Sequence, residues 1–186
     1  ACREGLPADR EHTMGLLQHA CQCANAQVFS LSAHNEEYRG MGTTLVGALI
    51  LAREVYIINV GDSRAYYISR RNDAIEQVTR DHSLVEELVE YGAITKDQAR
   101  RHPQRNVITR ALGSEATGEA DYYEVNLQSG DILLLCSDGL SNLISELEML
   151  DYAKEYPEPE LLCRALMSKA LMRGAPDNVT VLAVMK

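Results

Sequence analysis

The sequence predicts an α+β domain, and the order and grouping of its elements carry that prediction. An amphipathic helix comes first, and an antiparallel run of strands, a helical insert, further strands, two helices and a last strand follow. Helices that are grouped, instead of alternating with every strand, are typical of α+β folds. The 186 residues contain no internal repeat, low-complexity tract or linker, so we expect a single domain over 1–186.

The first part of the chain is predicted to hold one helix and four strands. Apolar side chains recur on one face of 11–30, which indicates an amphipathic helix. Four β-rich runs follow, and we expect them to form a meander in which the first two strands are a hairpin across Ala52 and Arg53. The four strands are predicted at 43–51, 54–60, 64–69 and 74–79.

A helical insert is predicted over about 83–110. Ser83 followed by Glu86 is a capping box that begins one helix, and Thr95 with Gln98 repeats the signal for a shorter one. The remaining elements follow from apolar runs and turn residues. They are a strand or extended segment at 106–113, two strands around a turn at 128–130, helices from about 146 and 159, and a last strand at 178–185.

Composition and charge narrow the classes of function. The net charge of −9 argues against nucleic acid or an anionic membrane as the main partner. No apolar stretch reaches the roughly 18 residues that cross a bilayer, and no signal peptide is visible. The five cysteines lack four-ligand zinc spacing, and we interpret them as reduced thiols of a cytoplasmic protein.

Three aspartates stand at the tips of strongly apolar strands. Asp62 follows "VYIINVG", Asp138 follows "DILLLCS", and Asp177 precedes "NVTVLAVM". Carboxylates are hard oxygen ligands of the kind that Mg²⁺ and Mn²⁺ prefer. Asp-Gly and Pro-Asp are also among the commonest turn dipeptides. The residues alone therefore leave a metal site and ordinary turns both open.

Six motifs occur in an order and at intervals that resemble those of the PP2C family, the metal-dependent protein Ser/Thr phosphatases. They are "GMGTTLVGALI", "VYIINVGDSRAYYI", "VTRDHS", "VITRALG", "LLLCSDGLSN" and "APDNVTVLAV". The short insert is similar to that of bacterial members. The resemblance implies a β-sandwich flanked by helices on both faces, with a metal centre at one edge.

The resemblance also implies roles for particular residues. Asp138 and Asp177 match the family's catalytic metal ligands, with Gly139 beside the former. Asp62 matches a third, weaker metal site, and Asn178 is expected to support Asp177 without binding the metal. Two Mn²⁺ or Mg²⁺ ions would activate a bridging water for attack on phosphoserine or phosphothreonine. The cysteines are then not needed as nucleophiles.

The insert resembles the flap that lies beside the metal site in this family. It carries Arg100 and Arg101, which could attract a phosphoprotein, although basic residues on a capped helix usually form a solvated face. His82 is interpreted as shaping the flap entrance, in preference to acting as a base. Phosphoproteins, with a Ser/Thr protein kinase and its targets, are the partners that the resemblance implies.

The family's opening motifs do not occur in this sequence. PP2C domains open with D-x-G-x-x-R-x-x-N-E-D and then "DGMGG", which supply the phosphate-binding Arg and the bridging Asp, whereas "RGMGTT" is a different motif. We therefore expect the chain to be a fragment without the first strands, and to be inactive as a phosphatase by itself. The alternative is a non-catalytic binding or regulatory module with a PP2C fold.

Overall fold

The strands and helices are those of a computed structural model that describes residues 10–186. The α-helices are α1 Arg10–His34, α2 Leu84–Glu90, α3 Lys96–Arg100, α4 Asp138–Ser141, α5 Glu146–Glu155 and α6 Pro159–Met172. The strands are β1 Leu45–Leu51, β2 Glu54–Val60, β3 Arg64–Ser69, β4 Ala74–Gln77, β5 Asp121–Asn126, β6 Ile132–Cys136 and β7 Val181–Met185. A single 3₁₀ turn, Glu36–Tyr38, follows α1.

The strands pair into two antiparallel sheets. One sheet has the order β1-β2-β5 and the other the order β4-β3-β6-β7. The predicted hairpin is confirmed, with Leu45 opposite Val60 and Leu51 opposite Glu54. The prediction of one meander is wrong, because β2 and β3 lie in different sheets. The chain crosses from one sheet to the other at the short "GDS" segment, and β3 then pairs with β4 and β6 instead of with β2.

The two sheets pack face to face through apolar side chains that alternate along the strands. This inner layer contains Val55, Ile57, Ala65, Leu127 and Leu133, each at most 1% exposed. Because side chains alternate between the faces of a strand, the neighbouring residues of β2 point outward to a helix. The interior of the molecule is therefore a sandwich of two sheets.

Helices cover both outer faces of this sandwich. α1 packs on the first sheet through Cys21, which contacts the cluster that includes Ile58 and Val60. α5 and α6 pack on the second sheet through residues such as Met149 and Leu162, both fully buried. The α–β–β–α layering that the resemblance implied is confirmed.

The insert folds largely as its capping signals predicted. The Ser83 side chain accepts a hydrogen bond from the backbone N–H of Glu86, and Thr95 and Gln98 form a reciprocal capping box. The segment 106–113 is extended without being a strand, since it makes only isolated bridges to Ser83 and Thr43. No α-helix within the described residues is long and apolar enough to cross a membrane.

Candidate active site

An open cleft of about 600 Å³ lies where β2, β3 and β6 end or begin. Asp62, Asp81 and Asp138 line it together with Arg64. Residues of the insert helices α2 and α3 also line it. The strand ends thus bring two of the three predicted aspartates to one cleft.

The turn that presents Asp62 depends on the glycine before it. Gly61 has φ +104°, a conformation that favours glycine, and a Cβ there would lie 2.4 Å from Cγ2 of Thr44. The Thr44 and Ser63 hydroxyls hydrogen-bond to each other at 3.0 Å on the other side of the turn. Asp62 is therefore held on a short, tightly packed connection between the two sheets.

Asp138 is held beside the segment that carries Asp177. Ser137 donates its backbone N–H to the Thr180 carbonyl, and its hydroxyl accepts the Thr180 N–H at 3.0 Å. Gly139 lies so close to this segment that a Cβ would be 2.2 Å from the Asn178 carbonyl oxygen. The end of β6 and the beginning of β7 consequently approach each other at the two predicted ligands.

Asn178 contacts Asp177 through its backbone N–H. The backbone N–H of Asn178 donates to Asp177 Oδ1 at 2.7 Å, which fixes the carboxylate above its own turn. Asp138 is oriented by a side chain, because Asn142 Nδ2 donates to its Oδ2 at 3.2 Å. Asp177 itself is exposed to solvent.

The carboxylates of the cleft repel one another. Burial and then the charges of Asp138 and Asp81 raise the pKa of Asp62 to about 6. Burial and then the charge of Asp177 raise the pKa of Asp138. Arg64 opposes both shifts but does not overcome them. The site is thus a cluster of negative charges that favours the binding of protons or cations.

Arg64 forms an ion pair with Asp81, a residue that was not among the predicted site residues. Its Nε donates to Asp81 Oδ1 at 2.8 Å, and its Nη2 donates to Oδ2 at 2.6 Å. Gln77 also donates to Asp81, and Tyr66 accepts from the arginine. Asp81 lies in the "RDHS" motif, but no local pattern pairs it with an arginine 17 positions earlier.

His82 is buried and does not line the cleft, unlike its neighbours Asp81 and Ser83. Its Nδ1 accepts the backbone N–H of Gly61 at 3.1 Å, so the ring proton is on Nε2. Nε2 lies 3.1 Å from Asp121 Oδ2. Both ring nitrogens are engaged within the protein, which is consistent with the predicted shaping role and gives no support to a role as a base.

The two arginines predicted for substrate binding differ in position. Arg100 lines the cleft with Lys96 and Arg105, whereas Arg101 does not line it. Both belong to the short α3 region, where one position of sequence turns a side chain by about 100°. The structure therefore brings Arg100, and not Arg101, to the cleft that Asp138 lines.

The donor set at the cleft suits a hard divalent cation. In the part of the chain that the structure describes, no side-chain cation forms an ion pair with Asp62 or Asp138. Gly139 and Asn178 make a close backbone approach beside Asp138. Within residues 10–186, no three His, Cys, Asp or Glu side chains are grouped closely enough to hold an ion by themselves. Mg²⁺ commonly takes only one or two carboxylates and keeps several waters, so the residues present fit such an ion.

A helix-flanked double sheet with acidic strand ends at one edge is the architecture of the metal-dependent Ser/Thr phosphatases. The chain belongs to the Protein phosphatase 2C family, whose profile matches residues 6–179. The resemblance found in the six motifs is therefore confirmed.

Named relatives and solved structures agree with this assignment. Serine/threonine phosphatase stp of Listeria innocua is 42% identical over 168 residues, which are 90% of this chain and 66% of the relative. The crystal structure of serine/threonine phosphatase Stp1 from Staphylococcus aureus superposes with a TM-score of 0.93 at 38% identity, covering 99% of this chain and 71% of that one. The catalytic domain of the phosphatase PstP, in complex with two manganese ions, gives a TM-score of 0.83 at 30% identity, covering 97% and 73%. The chain thus spans about two thirds of the length of the curated relatives.

Proposed function

We propose that this chain is the larger part of a protein serine/threonine phosphatase that hydrolyses phosphoserine and phosphothreonine. The observation that carries the proposal is that Asp62 and Asp138 line one cleft, with Asp177 near enough for its charge to add to burial in raising the pKa of Asp138. Family membership agrees with it, and the named relatives are Ser/Thr phosphatases.

In this proposal the acidic cluster holds divalent metal ions. Asp138 and Asp177 would bind one of two ions, and Asp62 a third, with Asn178 and Gly139 shaping the approach. Mn²⁺ is supported by the manganese ions of the PstP structure, and Mg²⁺ by the oxygen donor set. Such ions, when bound, lower the pKa of a water and neutralise charge that develops on a phosphoryl group.

In this proposal, other residues of the chain hold and orient the metal-binding carboxylates. Asn142 and the Asn178 N–H fix the carboxylates of Asp138 and Asp177. The Arg64–Asp81 pair fills the base of the cleft, so Arg64 is not free to bind the substrate phosphate. Cys136, two positions before Asp138, is not a nucleophile in this proposal, since burial raises the pKa of its thiol to about 12.

The insert would be the flap that selects substrates. We propose that 83–110 belongs to the same single domain and that Arg100 helps to attract phosphoproteins, among them a Ser/Thr protein kinase and its targets. The cysteines Cys21, Cys23, Cys136 and Cys163 are free thiols, which supports a cytoplasmic location, while Cys2 lies outside the described residues.

The decisive experiment replaces Asp138 with asparagine in the full-length protein. Asp138→Asn removes one charge at nearly constant size, and we expect Mn²⁺-dependent hydrolysis of a phosphothreonine peptide to fall by about 10²-fold or more, as for other groups that stabilise developing charge. Mn²⁺ binding, measured by calorimetry, is expected to weaken in parallel. Asp151→Asn is the matched control, because Asp151 is exposed on α5 and pairs only with Lys154. Full activity in Asp138→Asn would refute the assignment.

A further inference from the structure

We propose that His82 is a positioning residue that holds the turn carrying Asp62, and that it acts through the backbone of Gly61. This inference rests on the proposed function only for the metal-binding role of Asp62. The contacts themselves are independent of it, because they belong to the buried interior between the "RDHS" and "GDSR" segments.

His82 and Gly61 are joined by two reciprocal hydrogen bonds. The His82 backbone N–H donates to the Gly61 carbonyl at 2.9 Å, and the Gly61 N–H donates to His82 Nδ1 at 3.1 Å. The ring is buried, with 3% of the side chain exposed, and its Nε2 donates to Asp121 Oδ2 at 3.1 Å. The imidazole therefore spans from the first residue of β5 to the residue before Asp62, and only one tautomer makes both bonds.

The N–H and the carbonyl of Gly61 differ in how much they depend on the side chain of His82. The carbonyl of Gly61 accepts from the backbone N–H of His82, which His82→Asn and His82→Gln both keep, and from Asn59 Nδ2 at 3.2 Å. The N–H of Gly61 donates to Nδ1, and its loss would leave a buried donor unpaired beside Asp62. The Nδ1 atom is therefore the part of His82 on which the position of the turn depends.

The segment "RDHS" holds the turn from both sides. Asp81 binds Arg64 at the beginning of β3, and the next residue, His82, binds Gly61 at the end of β2. Asp62 lies between these two attachment points. A short chain held at both ends keeps its middle residue in one place, which a metal ligand needs.

Two isosteric substitutions separate the two nitrogens of the ring. In His82→Asn the amide oxygen reaches the place of Nδ1 and can accept the Gly61 N–H, whereas the longer side chain in His82→Gln reaches the place of Nε2 and can donate to Asp121. We expect the Gly61 amide hydrogen to exchange about tenfold faster in His82→Gln, and within about threefold of the parent protein in His82→Asn. Mn²⁺ affinity, measured by calorimetry, should fall about tenfold in the former and recover in the latter.

Controls keep this test independent of folding and of the proposed function. His34→Asn and His34→Gln make the same changes at an exposed histidine at the end of α1, and neither should alter Gly61 exchange. Asp62→Asn tests the metal-binding role alone. If Asp62→Asn leaves Mn²⁺ affinity unchanged, the role proposed for Asp62 is wrong. If Asp62→Asn weakens Mn²⁺ binding but His82→Asn and His82→Gln behave alike, in amide exchange or in affinity, the positioning role of His82 is overturned.

Discussion

At the scale of single residues, the close placement of carboxylates in the cleft lowers the stability of the folded protein. Asp62 is half-buried next to Asp138 and Asp81, and its pKa of about 6 means that the folded protein favours the protonated form. An unfolded aspartate titrates near 4, so the folded state binds more protons between these two values. The contribution of Asp62 to stability is thus fully present below about pH 4 and is lost as the pH rises through about 6.

This charge cost predicts that Asp62→Asn stabilises the metal-free protein at neutral and alkaline pH. In the presence of a chelator at pH 8, we expect the free energy of unfolding by urea to rise by about 1 kcal/mol, a value reduced for the partial exposure of the side chain. At pH 4 the two proteins should differ little, because Asp62 is then protonated in the folded state. An equal gain at both pH values would mean that charge repulsion is not the cause.

At the scale of secondary-structure elements, the site depends on how closely β6 and α4 approach the segment before β7. Gly139 is buried against the backbone of Asn178, and Ser137 bonds twice to the backbone of Thr180. These contacts set the separation of Asp138 and Asp177. A change in packing at this point should therefore act on stability and on metal binding together.

Gly139→Ala tests this packing with the smallest possible addition. The new Cβ would lie 2.2 Å from the Asn178 carbonyl oxygen, so backbone must move, and we expect a loss of about 1–3 kcal/mol in the free energy of unfolding. Mn²⁺ affinity should fall as well. Gly15→Ala is the matched control, since no atom lies within 4 Å of its Cβ on α1 and the change should stabilise the helix by about 0.5–1 kcal/mol. Unchanged stability in Gly139→Ala would contradict the contact.

The elements were predictable from sequence to the extent that local chemistry determines them. The hairpin was predicted because β-branched runs flank a two-residue link, and the helices of the insert because their caps are local hydrogen bonds. The assignment of β2 and β3 to different sheets was not predictable, because strand partners are chosen by distant residues. Helix α4 was also missed, since its single turn is only four residues long.

At the scale of the whole molecule, the candidate site combines elements that are far apart in sequence. Asp62, Asp138 and Asp177 were identified from their places at strand tips, and the family motifs added their expected role as metal ligands. Asp81 was missed, because its partner Arg64 is brought to it only by the crossing between the sheets. The sequence shows two adjacent cations, Arg100 and Arg101, but not the direction in which each side chain points. It therefore could not predict that only Arg100 lines the cleft.

The charge of the molecule is distributed unevenly around the cleft. The chain carries a net charge of −9, yet Lys96, Arg100 and Arg105 line the same cleft as the carboxylates. None of these three side chains forms an ion pair within residues 10–186. Unpaired cations beside an acidic cluster can attract an anionic substrate and orient it without taking part in the chemistry.

The last prediction uses the two adjacent arginines as a matched pair. In the full-length protein, Arg100→Ala should lower kcat/KM on a phosphoprotein by about threefold to tenfold at low salt, because it removes a charge from the cleft. The loss should shrink at about 1 M salt, where exposed charges separated by more than about 3 Å are largely screened. A small aryl phosphate, which does not reach across the cleft, should be hydrolysed at nearly the same rate by both proteins.

Arg101→Ala is the control, because it removes the same charge beside the cleft and should leave the hydrolysis of both substrates almost unaffected. Equal losses in the two variants would show that only net charge matters, and no loss in either would leave the insert without a part in substrate selection.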